Sequence, residues 1–110
     1  MQLVGVENFG SVNSDGGASI ATSGAAAAVA ASCAADGAII GFCSHWGLGA
    51  GQGDPSWSGL TEKSDTVGPG NNRYSCAFDE FSSAQTDLST SWSAAIYGDL
   101  CNLAIGIDPA

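Results

Sequence analysis

Leu100-Cys101-Asn102-Leu103-Ala104-Ile105-Gly106-Ile107 decides the fold class, because Leu103, Ile105 and Ile107 alternate with Asn102, Ala104 and Gly106. Successive side chains of a β-strand point to opposite faces, so a period of two marks a strand with one face on a core. The expectation is that the three large residues look inward. The same texture recurs upstream. Tyr74-Ser75-Cys76-Ala77-Phe78 places its bulky residues at alternate positions, and Thr86, Leu88, Thr90 and Trp92 share one face of the next segment. Strands are expected over residues 2–6, 38–42, 73–81, 85–94 and 100–107. Turn-forming clusters stand between them at 13–17 (NSDGG), 35–37 (ADG), 47–55, 68–72 (GPGNN) and 97–99 (YGD). Short strands with frequent turns predict an all-β chain, a small antiparallel β-sandwich of jelly-roll type, forming a single domain over residues 1–110.

Residues 18–34 depart from this texture. Gly24-Ala25-Ala26-Ala27-Ala28-Val29-Ala30-Ala31-Ser32 has the highest helix propensity in the chain, but no stripe of large apolar residues to hold a helix on a core. It runs into Asp36-Gly37 and a strand, so 18–34 is expected to be mainly one small-residue strand, with a short helix as the alternative. Much of the 45% hydrophobic content is alanine, so the core of this 110-residue chain is thin. Support from disulfides or neighbouring subunits is therefore expected.

Eleven acidic residues stand against one lysine (Lys63) and one arginine (Arg73), a net charge of −9. That balance argues against nucleic acid as a partner, since phosphate contacts come mostly from Lys and Arg. It argues equally against an anionic membrane surface, and no run is apolar enough to span a membrane. Met1-Gln2-Leu3-Val4-Gly5 has neither a basic start nor a sustained apolar run, so no export signal is expected. The four cysteines (Cys33, Cys43, Cys76, Cys101) form no CxxC or CxxH pair of zinc spacing. They are either buried small hydrophobes or two disulfides. If residues 34–37 close a hairpin, Cys33 and Cys43 stand roughly 16 Å apart, beyond bridging reach. The pairing then expected is Cys43–Cys76 with Cys33–Cys101.

The stretch Phe42-Cys43-Ser44-His45-Trp46, continuing to Asp65, holds the only histidine and two of the three tryptophans. Cys43 and His45, two apart on a strand, share a face, but a metal site needs more donors and no second histidine exists. A Cys–His nucleophile pair needs closer approach than the ~7 Å between such positions. The alternating glycines of Gly47-Leu48-Gly49-Ala50-Gly51-Gln52-Gly53 lack the Gly-Lys-Ser/Thr of a phosphate loop. The carboxylates Asp79/Glu80 and Glu62/Asp65 lack a calcium-loop pattern and are expected to be solvated. Neither catalytic residues, metal nor cofactor are therefore assigned. Trp46, Trp57 and Tyr74 offer a glycan-stacking platform. In the contrasting arrangement Trp57 folds back over the end of the sandwich and Trp92 fills the core.

Several pieces together are similar to one family. They are Val4-Gly5-Val6-Glu7, Ala35-Asp36-Gly37-Ala38-Ile39-Ile40-Gly41-Phe42 leading to Ser44-His45-Trp46, Pro55-Ser56-Trp57-Ser58-Gly59-Leu60-Thr61-Glu62, and Ser91-Trp92 with Ala104-Ile105-Gly106-Ile107. The combination resembles the C-terminal half of a jelly-roll-type β-sandwich domain found in structural proteins of tailed bacteriophages. Longer relatives carry a further run of strands before it, so the resemblance implies either a self-sufficient small sandwich or one completed by another subunit. It implies a non-enzymatic virion protein, most concretely a capsid decoration or cement protein on the outer shell, with a tail, fibre or glycan-binding receptor-recognition module as the alternative. The partners implied are the major capsid protein and copies of the chain itself, as a homo-oligomer. The partner-facing residues expected are Met1, Leu3, Val4, Val6 and Phe9 at the start, with Leu48 and Trp57 from the long loop.

Overall fold

The computed structural model describes residues 9–12, 17–21, 27–46, 56–93 and 99–109. They form nine strands: β1 Phe9–Val12, β2 Gly17–Ala21, β3 Ala27–Cys33, β4 Gly37–Trp46, β5 Ser56–Ser58, β6 Glu62–Val67, β7 Arg73–Phe81, β8 Gln85–Ser93 and β9 Asp99–Pro109. The only helical geometry among the described residues is the turn Pro69–Asn71. All pairings are antiparallel.

One sheet runs β1-β9-β4-β7-β6, with β2 lying after β1 along the same edge of β9. The other runs β3-β8-β5. From β2 to β6 each strand changes sheet, and β8 leaves and β9 returns to the first. That wrapping is the strand path of a jelly roll, a small all-β sandwich. Here β6 joins β7 rather than lying beside β5.

The expected strands at 38–42, 73–81, 85–94 and 100–107 are present. Residues 2–6 lie outside the described residues. The stretch 18–34 is not one strand: β2 pairs with β9 in the first sheet and β3 with β8 in the second. No helix forms in Ala27–Cys33, because Val29, Ala31 and Cys33 alternate inward while Ala28 and Ala30 are exposed. Two-residue alternation marks a strand whether the inward residues are small or large. The turn closed by Gly37 N–H donating to the Ala34 carbonyl (3.1 Å) therefore joins strands of different sheets rather than a hairpin.

The bulk comes from the three-stranded sheet. Trp57 of β5 and Trp92 of β8 are direct cross-strand partners on its inner face. Trp92 is fully buried, and Trp57 packs with the half-buried Leu88 on the core cluster that includes Val29 and Leu60. Across the sandwich the six-stranded sheet presents Gly41, Ala77 and Ala104, with Ile39, His45 and the half-buried Phe81 as its larger inward residues. The Trp57 ring fills the space a side chain at Gly41 would occupy: a Cβ there would lie 2.5 Å from Trp57 Cη2. Gly59, at φ +87°, turns the chain so closely over β8 that a Cβ would lie 2.3 Å from the Ser89 carbonyl oxygen.

The face assignment reverses the expectation for β9. Asn102, Ala104 and Gly106 are the buried, inward members. Leu103 is exposed, and Ile105 and Ile107 are half-buried on the opposite face. The same reversal holds in β7, where Ser75 and Ala77 look inward and Tyr74, Cys76 and Phe78 outward. In β8 the expected face is the inner one, with Thr90 and Trp92 fully buried.

Gly41→Val is expected to destabilise the fold by about 1–3 kcal/mol, because Trp57 must leave its seat. The check is a urea titration, where the midpoint falls at unchanged slope. An unaltered midpoint would show that the ring does not need this gap.

Candidate functional site

β4 sorts the residues of the histidine-containing stretch onto two faces. Cys43 and His45 point into the sandwich; Phe42 and Ser44 point out. The inner set is a structural polar network. Cys43 Sγ–H donates to Asn102 Oδ1 (3.4 Å), Asn102 Nδ2–H to the Thr90 carbonyl (3.2 Å), and Thr90 Oγ1–H to the Val29 carbonyl (3.1 Å). The chain of bonds runs β4-β9-β8-β3 and ties the two sheets together. His45 is fully buried, its ring edge-on to Trp92 at 6.1 Å between centroids. Burial pushes the Cys43 thiol well above its ordinary pKa, with Cys101 and Glu62 adding in the same direction. A protonated thiol bonded to an amide inside a core is not a nucleophile, since the thiolate is the reactive form.

A second polar link crosses the layers. Trp57 Nε1–H donates to Ser75 Oγ (2.7 Å), whose hydroxyl donates to the Ser64 carbonyl (2.9 Å). Trp57 is thus turned into the sandwich, while Tyr74, its proposed companion, stands on the opposite face of β7. The two cannot form one stacking platform. Trp46 ends β4 opposite Asp99, and only its backbone is described.

The outer face of the six-stranded sheet is the prominent feature. The register across β7, β4 and β9 lays it out in rows. Tyr74, Ser44 and Cys101 form one row; Cys76, Phe42 and Leu103 the next. Phe78, Ile40 and Ile105 follow, then Glu80, Ala38 and Ile107. Ile40 is buried between its neighbours, but Phe42 (41%), Leu103 (37%) and Tyr74 (46%) remain open to solvent. Between them lies a shallow groove of about 440 Å³, flanked by Cys76 and Cys101, with Ser64 and Thr66 of β6 at its rim. Of the twelve positions in these rows only Glu80, at a corner, is charged.

The carboxylates serve elsewhere. Asp65 accepts from Arg73 Nη1 at 2.6 Å. Asp79 accepts from the Thr61 amide at 2.7 Å and lies 3.9 Å from Lys63 Nζ. Asp108 accepts from the Ala34 amide at 2.6 Å. Among the described residues no three His, Cys, Asp or Glu side chains converge as a metal site would require.

The expected disulfides do not form; all four cysteines are free. Cys43 and Cys76 sit on opposite faces of one sheet, and Cys33 lies in the core while Cys101 lies on the outer face. A bridge through a sheet would need the side chains to pass through the backbone. Of the expected partner-facing residues, Met1, Leu3, Val4, Val6 and Leu48 lie outside the described residues. Phe9 is placed by its backbone opposite Pro109 at the β1–β9 edge. The residues that do form an open apolar face, Phe42 and Leu103 foremost, were not singled out from sequence. Their signal was present as alternation with Gly41 and Ala104, whose small size marks the side that must admit an indole.

The chain has no match among protein-family models, curated proteins or solved structures.

Thiol accessibility follows the two faces. In the native protein Cys76 and Cys101 are expected to react with a maleimide while Cys33 and Cys43 react only on unfolding, as mass-resolved labelling would read. Early labelling of Cys43 would contradict the buried network. The raised thiol pKa also sets a pH dependence. The native state keeps a proton that the unfolded state loses above about pH 8.5, so stability is full below that point and falls as pH rises. The slope is at most about 1.4 kcal/mol per pH unit per thiol. Urea midpoints measured through the alkaline range are expected to fall less steeply in Cys43→Ser than in the wild type.

Proposed function

We propose that the chain is a non-enzymatic structural protein of a virion, most concretely a capsid decoration protein that seats on the outer shell of a tailed phage. The observation that carries this reading is the open, nearly charge-free apolar face around Phe42 and Leu103. A soluble sandwich that needs only itself covers large apolar residues with its own second layer; this one spends that layer on the opposite side. The chemistry-bearing candidates support a structural role, because Cys43 and His45 are enclosed in the core and positioned to hold sheets together. The quoted likeness to phage jelly-roll domains supplies the virion setting. Binding strength would then come from many weak contacts repeated over a symmetric lattice, with the major capsid protein as the partner.

The test is co-sedimentation of recombinant protein with expanded, empty phage shells, paired with quantitative mass spectrometry of purified particles. A fixed, high copy number and saturable binding are expected. Phe42→Asp with Leu103→Asp is expected to weaken shell binding by on the order of 100-fold, since a carboxylate would be desolvated without a partner. Wild-type protein that ignores shells and is missing from particles would end this reading.

A further inference from the structure

We infer that the outer face of the six-stranded sheet is a self-association surface: it packs against the same face of a second copy, making a two-fold, four-layer β-sandwich. This rests on the reading of that face as an interaction surface and gives it to a second copy; the paired unit then meets the shell through its remaining surface, and the loss of shell binding in Phe42→Asp with Leu103→Asp follows from the loss of pairing.

Charge selects the occupant. Each copy carries −9, so two copies repel wherever their acids meet. The rows through Phe42 and Ile40 carry no charge, and Glu80 stands at the margin. A basic foreign partner would gain most by meeting the acidic side chains, and this face offers it almost none. A second copy gains most by meeting the one surface where like charges do not confront each other. Apolar rows of similar height on both sides also suit an isologous contact, where a patch must complement itself.

The strand edge that borders the face is guarded against pairing. One edge strand, β6, is short, fully exposed and interrupted by a register shift between Glu62 and Ser64, with Lys63 at the irregularity. Charge and a bulge on an edge are devices against edge-to-edge pairing. The opposite edge of β9 is occupied by β1 and β2, and β5 in the second sheet is three residues long. Size is adequate as well. Four strands (β9, β4, β7, β6) at ~4.8 Å spacing and roughly seven residues of length give about 440 Å² of flat area per copy. Side-chain relief raises that, so the pair buries about 1,000 Å² or more, the lower bound of a specific interface.

The experiment is sedimentation equilibrium on the whole chain. Wild-type protein is expected at twice its 10.9 kDa mass. Phe42→Asp with Leu103→Asp is expected to weaken the dimer by on the order of 100-fold or more and leave monomer. Both side chains point to solvent within one copy, so the strand-type circular dichroism spectrum should persist; if it does not, Leu103→Lys alone, read by the same measurement, stands in. Val67→Asp, on the exposed edge and the other side of β6, should remain dimeric. A wild-type monomer at every concentration, or a dimer that survives both outward substitutions, overturns the inference. Shell binding separates it from the wider reading. A monomer that still binds shells through Phe42 and Leu103 removes the self-association and keeps the virion role. A dimer that ignores shells removes the virion role and keeps the self-association.

Discussion

A Trp57 indole seated over Gly41, beside a buried Trp92 whose ring stands edge-on to His45, governs this molecule. Trp57 and Trp92 occupy adjacent positions on the inner face of a three-stranded sheet. Sheets pack about 10 Å apart, and that gap has a fixed volume. Where one layer fills it with the Trp57 ring, the other must supply little, and there it supplies Gly41, with Ala77 and Ala104 in the same core layer. Phe42, Leu103 and Tyr74 then have only the outside left to them. The open apolar face is thus a consequence of core packing, because inner and outer residues of a strand are fixed by the same register.

Polar groups reinforce the same arrangement. The Cys43-Asn102-Thr90 chain of bonds and the Trp57-Ser75 bond each cross the space between layers. Buried polar groups are costly when unmet, so a sheet that slipped by one residue would strand Asn102 and Ser75 as well as expose Ile39. In a core with few large aliphatic residues, such bonds contribute specificity that area alone would not. They also explain why a histidine and a cysteine two residues apart look like chemistry in the sequence and act as structure in the fold.

The disposition of charge complements that of size. Acidic side chains are used at loops and edges: Asp65 holds Arg73, and Asp79 and Asp108 receive amides of turns. The broad face of the larger sheet is left almost neutral. A chain of net −9 that keeps one face clear of charge separates a solubilising surface from a surface suited to contact, which unites the structural role proposed for the virion with the pairing of like copies.

The sequence by itself determined that the chain is built of strands and where four of the nine run, since period-two alternation and turn residues act locally; Arg73–Phe81 and Gln85–Ser93 were legible within a residue, while the short β1, β5 and β6 carried no such alternation of large residues. It also placed Cys43 and His45 on one face and Trp92 in the core. The direction in which each alternating strand faces was decided only by the tertiary structure. Alternation defines two faces but not which is inner, and large residues were the natural choice until the opposing tryptophans took the volume. For the same reason the cysteine pairing could not be read: Cys76 and Cys101 lie outward, Cys33 and Cys43 inward, and only the packing of one sheet on the other tells them apart.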